Sequence, residues 1–392
     1  MKILVVNDSL PYPLTYGAAV RVYNFIKYLS KSNEVSLITF RSEDDSEESI
    51  AHVRSFCKTV TLVDHHISSK TKRLRQLRAA LSTASSLYYE YTCPNFQRKL
   101  DELLKTQSFD CIQLEFSFMG HYELNSTAFS CLDEHNVEFN IHYRFYQQET
   151  NPAKKLYRYL EYQKVKAEEI RQAQTFDHVF YPSKVDAETM KQYLSQSVSV
   201  VPNGVDIDYF RPAENGNEGP LLYFGAMNYG PNIDGVQYFA NEIWPLIREK
   251  RPSAVFEIVG PNPPEQIKKL HGKSGIHVTG EVKDIRDPLH RAAVIVVPLR
   301  IGSGTRLKIL EAMAMGKAIV STSIGCEGIE VANREHLSVA DSPDEFADSC
   351  LELGSDPDLR RSMGKSGRQL VEENYSWGAI CHSVQQIYEQ AH

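Results

Sequence analysis

Short apolar runs alternate with helical patterns along almost the whole chain. Met1–Asn7 predicts a buried strand, Ala18–Ser30 places apolar residues at helical spacing, and Glu34–Phe40 predicts the next strand. This order of elements predicts a parallel sheet with right-handed crossovers. Further strands are predicted at Thr59–Val63, Asp110–Leu114, Thr127–Asp133, His178–Tyr181 and Val198–Val201.

A polar segment rich in Pro and Gly, Arg211–Pro220, interrupts this series and predicts a linker. The alternation then resumes, so the pattern predicts two consecutive doubly wound α/β domains. The predicted strands are Leu221–Gly225, Ala254–Val259, Gly275–Val278, Ala293–Pro298, Ala318–Thr322 and His336–Val339. The predicted helices are Ile233–Lys250, Pro264–His271, Ile285–Arg291, Thr305–Met315, Pro357–Glu373 and Trp377–Gln390.

Composition agrees with two folded domains and excludes several classes of protein. The 392 residues include 43 Lys and Arg against 50 Asp and Glu, a net charge of −7, which disfavours a dedicated nucleic-acid binder. The seven cysteines are widely spaced without a Cys-x-x-Cys pair, which disfavours a disulfide framework or a structural zinc site. The first residues do not resemble a signal peptide, and no stretch of about 18 apolar residues predicts a membrane span. We therefore expect a cytoplasmic protein.

The most informative segment, residues 293–323, combines a strand, a glycine loop and a helix. The loop is Gly302-Ser303-Gly304-Thr305, and the helix opens with Arg306 and Lys308. Glycines let the backbone approach a ligand closely, and a helix N-terminus offers unpaired N–H groups to an anion. Cations are unfavourable in a first helical turn, so Arg306 and Lys308 indicate a negatively charged partner there. A phosphate or diphosphate is the natural candidate.

Glu311 lies on the same predicted helix, on a largely apolar face. A carboxylate there is costly unless it has a partner. Two interpretations stay open: an ion pair with Lys308 or Arg306, or hydrogen bonds from the hydroxyl groups of a bound sugar. The preceding glycine loop favours the ligand.

The segment 293–323 resembles the signature of the retaining GT-B glycosyltransferases of family 4, the glycosyltransferase group 1 proteins. Further points of resemblance are the N-terminal KILVVND strand with Gly17, Val201–Asp206, Phe224–Ala226, Val259-Gly260, Gly280 with Val282, and Tyr375–Trp377. The resemblance implies the GT-B fold, with two Rossmann-like domains facing a cleft. The domains are then an acceptor-side domain at 1–205, a nucleotide-sugar domain at 206–374, and a last helix, 375–392, that packs back on the first domain.

The resemblance also implies an activity: transfer of a sugar from a nucleoside diphosphate sugar to a carbohydrate or lipid-linked acceptor, with retained anomeric configuration. Bacterial-type polysaccharide or glycolipid synthesis is the expected setting. Two alternatives remain open. One is a nucleotide-sugar 2-epimerase of the same fold, and the other is a catalytically silent nucleotide-sugar-binding protein.

The resemblance assigns donor contacts mainly to the second domain. Glu311 is expected to bond the ribose hydroxyls. The other candidate donor-binding residues are Gly17, Gly225, Gly280, Val282, Gly302, Ser303, Gly304, Thr305 and Leu307. The chain departs from the family in two respects. Ser303 stands where the family motif has its first Glu, and the Arg and Lys that usually clamp the diphosphate are absent from residues 224–234. Arg306 and Lys308, together with Arg300, are the candidate replacements.

On the N-terminal side, the polar run Leu132–Glu138 ends a predicted strand, where an active-site rim is expected. By itself His135 would be a surface or hydrogen-bonded loop histidine, but the resemblance places it near the reactive carbon of the donor. Glu115 and Asn136 are the candidate acceptor-side residues. A solvated loop carboxylate is the alternative for Glu115.

Two acidic pairs are less informative. Asp206 and Asp208 match an Asp-x-Asp pattern that some glycosyltransferases use for a metal, but a turn and capping role is simpler at this position. We expect neither a metal nor a cofactor to be required. Glu168 and Glu169 are predicted to lie on a solvated helix face.

Residues 68–81 combine five basic residues with interleaved leucines. The pattern fits a basic amphipathic helix on an anionic membrane surface, which would place the protein peripherally on the inner face of the membrane. A solvated helix face is the alternative.

Overall fold

The computed structural model describes residues 1–14, 16–64, 82, 84–212, 219–301 and 306–391. The chain forms two compact units, Met1–Pro202 with Cys381–His392, and Asn203–Ile380. The division falls after Pro202 and again inside the last helix, whereas the sequence-based boundaries lie after residues 205 and 374. Within the described residues, no helix combines the length and the apolar character needed to cross a membrane.

The first unit contains a parallel sheet of seven strands, counted over the described residues, in the order β3-β2-β1-β4-β5-β6-β7. The strands are β1 (Lys2–Asn7), β2 (Glu34–Arg41), β3 (Thr59–Asp64), β4 (Cys111–Glu115), β5 (Phe129–Asp133), β6 (His178–Tyr181) and β7 (Ser197–Val200). The helices are α1 (Gly17–Leu29), α2 (Glu47–Arg54), α3 (Ser86–Tyr91), α4 (Pro94–Thr106), α5 (Glu138–Gln148), α6 (Pro152–Ala173) and α7 (Lys184–Lys191).

The second unit contains a parallel sheet in the order β10-β9-β8-β11-β12-β13. Its strands are β8 (Leu221–Phe224), β9 (Phe256–Val259), β10 (Ile276–Gly280), β11 (Val294–Val297), β12 (Ala318–Ser321) and β13 (Ser338–Val339). The helices are α8 (Gly230–Tyr238), α9 (Trp244–Lys250), α10 (Glu265–Lys268), α11 (Arg286–Arg291), α12 (Leu307–Ala314), α13 (Pro343–Ser355) and α14 (Pro357–Asn374). The last helix, α15 (Trp377–Gln390), begins in the second unit and belongs to the first from Cys381 onward. Apolar runs in the sequence predict all thirteen strands of the described residues, to within two residues at each end.

One long predicted helix is interrupted. Residues 233–250 form the end of α8, a π-helical turn at Phe239–Ile243, and α9. Pro245 lies in the first turn of α9 and has no N–H to continue the α-helical hydrogen bonds. The wider π turn accommodates that missing donor.

Each sheet reverses its direction of winding at one point. In the first unit β1 lies between β2 and β4, and in the second β8 lies between β9 and β11. In open parallel sheets, ligands bind beyond the carboxyl ends of the strands at such a point. Ligand sites are therefore expected at the residues after β1, β4 and β5 in the first sheet. In the second sheet they are expected after β8, β9 and β11.

At the carboxyl edge of the second sheet, the backbones of two glycines are in close contact. Gly225 follows β8, Gly260 follows β9, and a Cβ atom on Gly260 would lie 1.8 Å from the Gly225 carbonyl oxygen. The Gly225 N–H in turn donates to the Val259 carbonyl oxygen at 3.0 Å. Only a residue without a side chain fits at position 260.

We expect Gly260→Ala to lower the free energy of unfolding by roughly 1 to 3 kcal/mol, because the new methyl group must displace backbone. Gly230→Ala is the matched control, since a Cβ there meets no atom within 4 Å. Chemical denaturation of both variants measures the difference. Equal stability of the two variants would contradict the assigned contact.

Candidate active site

Three polar side chains meet where β4 and β5 end. Glu115 is the last residue of β4, Asp133 is the last of β5, and His135 follows two residues later. The Glu115 Oε2 and His135 Nε2 atoms are 2.8 Å apart, and all three side chains are buried. The solvated-loop interpretation of Glu115 is therefore wrong, and His135 is a buried, hydrogen-bonded residue.

Arg21 on α1 neutralises this cluster. Its Nε and Nη2 atoms donate to the two carboxylate oxygens of Asp133 at 2.8 and 2.6 Å, and its Nη1 atom donates to the Pro202 carbonyl at 3.1 Å. The side chain is 1% exposed. Sequence analysis did not single out Arg21, although a cation on the otherwise apolar face of Ala19, Val22 and Phe25 was a usable signal.

The environment sets the protonation of the Glu115–His135 pair. Burial raises the pKa of Glu115 to about 7, while Arg21 and the hydrogen bond from Gln113 oppose the shift. Burial lowers the pKa of His135 to about 3, so the imidazole is neutral near pH 7. The Phe116 ring stacks on the imidazole at 4.0 Å. His135 is thus a fixed, uncharged imidazole beside a carboxyl group that titrates near neutrality.

The ligand atoms of Glu115, Asp133 and His135 lie within 4.8 Å of one another, which is close enough to surround a cation. Their existing partners disfavour that use. Arg21 already occupies both oxygens of Asp133, and Gln113 donates to Glu115 Oε1 at 2.6 Å. A metal ion would also have to lie beside a guanidinium charge, which repels it.

The other candidates of the first unit lie at the same sheet edge or next to it. Gly17 is the first residue of α1, and a Cβ there would meet no described atom within 4 Å. Asn136 is half-buried. Burial raises the pKa of Asp8, directly after β1, to about 6. Among the described residues, the space at the Gly17 Cβ position is therefore open.

The expectation that Glu168 and Glu169 lie on a solvated face is wrong. Glu169 is fully buried and accepts hydrogen bonds from the backbone N–H groups of Glu138 and Phe139 at 2.9 and 2.8 Å. Glu168 accepts from the backbone N–H of Ser85. These carboxylates cap the N-termini of α5 and α3, where unpaired N–H groups and the helix dipole favour negative charge. Spacing on α6 alone did not reveal these partners.

In the second unit, Lys308 extends from α12 to the glycine-lined edge after β8. Its Nζ atom donates to the Tyr223 hydroxyl and to Asn232 Oδ1, each at 2.9 Å. A Cβ on Gly225 would lie 2.9 Å from the same nitrogen. Burial, reinforced by the charge of Arg306, lowers the pKa of Lys308 to about 7. The partners Tyr223 and Asn232 had no signal in the sequence.

Glu311 lies three residues further along α12. Burial raises the pKa of its carboxyl group to about 7, and Lys308 opposes the shift. Although the structure describes both residues, it contains no ion pair between Lys308 and Glu311, so that interpretation is wrong. No hydrogen bond from the described residues engages the Glu311 carboxylate either, which leaves it able to accept bonds from a ligand.

The remaining donor-side candidates differ in how far the structure describes them. Gly302, Ser303, Gly304 and Thr305 lie outside the described residues. Arg306 is buried directly before α12. Val282 and Leu307 are half-buried, and Gly280 has a φ of +77° with open space at its Cβ position. Arg300 is held by Asp234 at 2.7 Å and stacks on Tyr238, so it is less suited to a diphosphate clamp than Lys308.

Asp206 has the turn-forming role expected of it. Its Oδ1 atom accepts hydrogen bonds from the backbone N–H groups of Asp208 and Tyr209 at 3.1 and 2.9 Å. The basic stretch 68–81 lies outside the described residues, apart from the flanking Ser82 and Ala84.

Breaking the Arg21–Asp133 ion pair at the first switch point should destabilise the folded protein. We expect Asp133→Asn to lower the free energy of unfolding by about 3 to 5 kcal/mol, because the Arg21 charge then stays buried without its partner. The matched control is Asp348→Asn, which removes the exposed ion pair with Lys250 and should leave stability almost unchanged. Equal losses in the two variants, by urea denaturation, would refute the role given to Arg21.

Two family models match the chain. The model for Glycosyltransferase Family 4 matches residues 15–209, and the model for Glycosyl transferases group 1 matches residues 219–356. The first match includes Glu115, Asp133 and His135, and the second includes Lys308 and Glu311.

Individual relatives are distant. The chain is 23% identical, over 98% of both chains, to an uncharacterized 44.6 kDa protein in the cps region of Klebsiella pneumoniae. It is 29% identical over 208 residues to a GDP-mannose-dependent α-(1-6)-phosphatidylinositol monomannoside mannosyltransferase of Mycobacterium tuberculosis, covering 47% of this chain and 54% of the relative. The crystal structure of Anabaena HepE in complex with UDP-glucose superposes with a TM-score of 0.66 at 13% identity, over 100% of both chains. This last likeness establishes the fold, which is GT-B.

Proposed function

Because the chain belongs to the group 1 glycosyltransferases of family 4, we propose that it moves a sugar from a nucleoside diphosphate sugar to an acceptor hydroxyl with retained anomeric configuration. The observation that carries the proposal is at the second switch point. A half-buried cation, Lys308, lies against the Gly225 edge of β8, and one turn away Glu311 has no hydrogen-bond partner among the described residues. A diphosphate and a ribose are the ligands that this pair of groups fits.

In this proposal Lys308 and Arg306 stabilise the charge that develops on the departing diphosphate. Fixed cations in a site that excludes water are effective at this task because they need no reorganisation during the reaction. Glu311 accepts hydrogen bonds from the ribose hydroxyls. Gly280, with open space at its Cβ position, leaves room for a phosphate to approach the backbone. Gly225, Gly302, Gly304 and Thr305 are assigned to the donor by the family resemblance, in which Ser303 takes the position of the first motif Glu.

The bond to be broken joins the anomeric carbon of the sugar to the β-phosphate oxygen. The new bond joins that carbon to the acceptor oxygen on the same face, and the acceptor proton passes to the departing phosphate. We assign the neutral His135 imidazole to the neighbourhood of the reactive carbon, with Glu115 fixing its orientation. Asn136 and Glu115 are assigned to the acceptor side. No metal ion enters this scheme, because Lys308 and Arg306 supply the positive charge.

The acceptor is proposed to be a carbohydrate or a lipid-linked saccharide, in polysaccharide or glycolipid synthesis. Support comes from the relatives, one located in a cps region and one named for transfer to a phosphatidylinositol mannoside. The nucleotide and the sugar are open.

A thermal-stability screen with UDP-, GDP-, ADP- and TDP-sugars tests the donor class. A ligand that binds only the folded protein adds about 2.7 kcal/mol at a hundredfold excess over its Kd. A shift with one donor that is reduced in Glu311→Ala supports the assignment. No shift with any donor would favour a different ligand class.

We expect Lys308→Met to lower kcat/KM for transfer by roughly 100-fold or more, the usual effect of removing a group that stabilises transition-state charge. Arg306→Ala should have an effect in the same direction. Arg300→Met is the matched control, since its guanidinium is held by Asp234, and should retain most of the activity. Unchanged kcat/KM in both Lys308→Met and Arg306→Ala would refute the diphosphate assignment.

Donor affinity should depend on pH through Lys308. A bound diphosphate favours the charged amine, so binding raises the pKa of Lys308 above the value of about 7 in the free protein. The affinity therefore falls by up to tenfold per pH unit above pH 7 until the pKa of the complex is reached. Isothermal titration calorimetry between pH 7 and 9 measures this slope. The slope should disappear in Lys308→Met, and its persistence there would assign the titration to another group.

A further inference from the structure

The helical hairpin formed by α5 and α6 carries a concentrated apolar surface. Fifteen large hydrophobic side chains are exposed in the described part of the chain, and six of them lie between residues 143 and 160. They are Tyr143, Phe145, Leu156, Tyr157, Tyr159 and Leu160, with Leu156 60% exposed. Monomeric proteins rarely leave such a patch uncovered unless it has a partner.

The two helices of the hairpin pack against each other, and these apolar side chains nevertheless stay exposed. The first nine residues of α6, 152–160, include no buried residue, and α5 buries only Phe139. Tyrosine rings join the two helices: the centroids of Tyr146 and Tyr159 are 5.3 Å apart, and those of Tyr143 and Tyr162 are 5.1 Å apart. Phe145, Leu156 and Leu160 are therefore not required by an internal core.

Positive charge accompanies the apolar groups. Residues 143–160 contain Arg144, Lys154, Lys155 and Arg158 against one acid, Glu149, a net charge of +3 in a chain whose net charge is −7. Lys155 lies 5.4 Å from the centre of the Tyr146 ring, and Arg158 lies 5.5 Å from that of Phe145. Two of the four cations thus lie beside aromatic rings of the hairpin, and Arg158 also pairs with Glu149 at 3.0 Å.

We propose that this surface, residues 143–160, docks the protein on an anionic lipid bilayer. Leucine and aromatic side chains interspersed with Lys and Arg are the combination that binds the boundary between headgroups and acyl chains. A second copy of this chain is a poorer partner, because a two-fold contact through the same surface would oppose two charges of +3. The assignment is independent of the donor chemistry and of the stretch 68–81.

Co-sedimentation with vesicles tests the proposal. The full chain is mixed with vesicles of phosphatidylglycerol and phosphatidylcholine, or of phosphatidylcholine alone, at low and at high salt. We expect binding to the anionic vesicles that weakens with salt. Leu156→Ser with Leu160→Ser should reduce the partition coefficient at least tenfold. Lys154→Gln with Lys155→Gln should reduce it about 30-fold on anionic vesicles, since each cation near such a surface contributes about fivefold.

Controls separate docking from general effects. Val185→Ser removes an equally exposed apolar side chain from α7, and Lys191→Gln removes a charge from the same helix; both should bind like the unmodified chain. Thermal melting of each variant checks its folding. Failure of the unmodified chain to bind anionic vesicles would overturn the proposal. So would binding that the hairpin variants retain but that Lys70→Gln with Arg73→Gln abolishes, or a dimer that Leu156→Ser with Leu160→Ser dissociates in the absence of vesicle binding.

Discussion

The Arg21–Asp133 ion pair is the interaction on which the first switch point depends. Parallel strands bring their carboxyl ends to one edge, and in this sheet that edge carries Glu115, Asp133 and His135, all buried. Without a cation, two carboxyl groups in such a place would repel each other and would be poorly solvated. Arg21 occupies both oxygens of Asp133 from α1, so Glu115 is the acid that is left to partner His135. Charge neutralisation thus determines which group holds the imidazole.

The second switch point carries an uncompensated cation, whereas the first carries neighbouring acids. Lys308 is a half-buried cation that has no carboxylate partner within ion-pair distance in the described residues. Its contacts are two neutral oxygens, on Tyr223 and Asn232. These orient the amine but do not neutralise it, and desolvation together with the nearby charge of Arg306 lowers its pKa. A site that keeps a cation incompletely compensated is preorganised for an anion, and the missing side chain of Gly225 lets the Lys308 amine lie directly against the strand edge.

Local patterns and the family resemblance predicted much of this arrangement. Apolar runs are sufficient to locate buried parallel strands, and the loop chemistry and helix start were enough to select Lys308 and Glu311. What could not be predicted depends on contacts between distant segments. Arg21 and Asp133 are 112 residues apart, and Lys308 and Tyr223 are 85 apart. The prediction that Glu169 lies on a solvated helix face is wrong for the same reason, since its partners lie on another helix. Apolar spacing predicts one continuous helix over 233–250, but Pro245 has no N–H to continue it.

Glu169 also links the outer surface of the first unit to its interior. It caps α5 at Glu138 and Phe139, only three residues after His135. Glu169 belongs to α6, whose other end carries Leu156 and Leu160. This helix of 22 residues, about 33 Å long, therefore has one end in solvent and the other bonded to the first residues of α5. The helix that presents the exposed leucines is thus also the one that anchors the backbone three residues after His135.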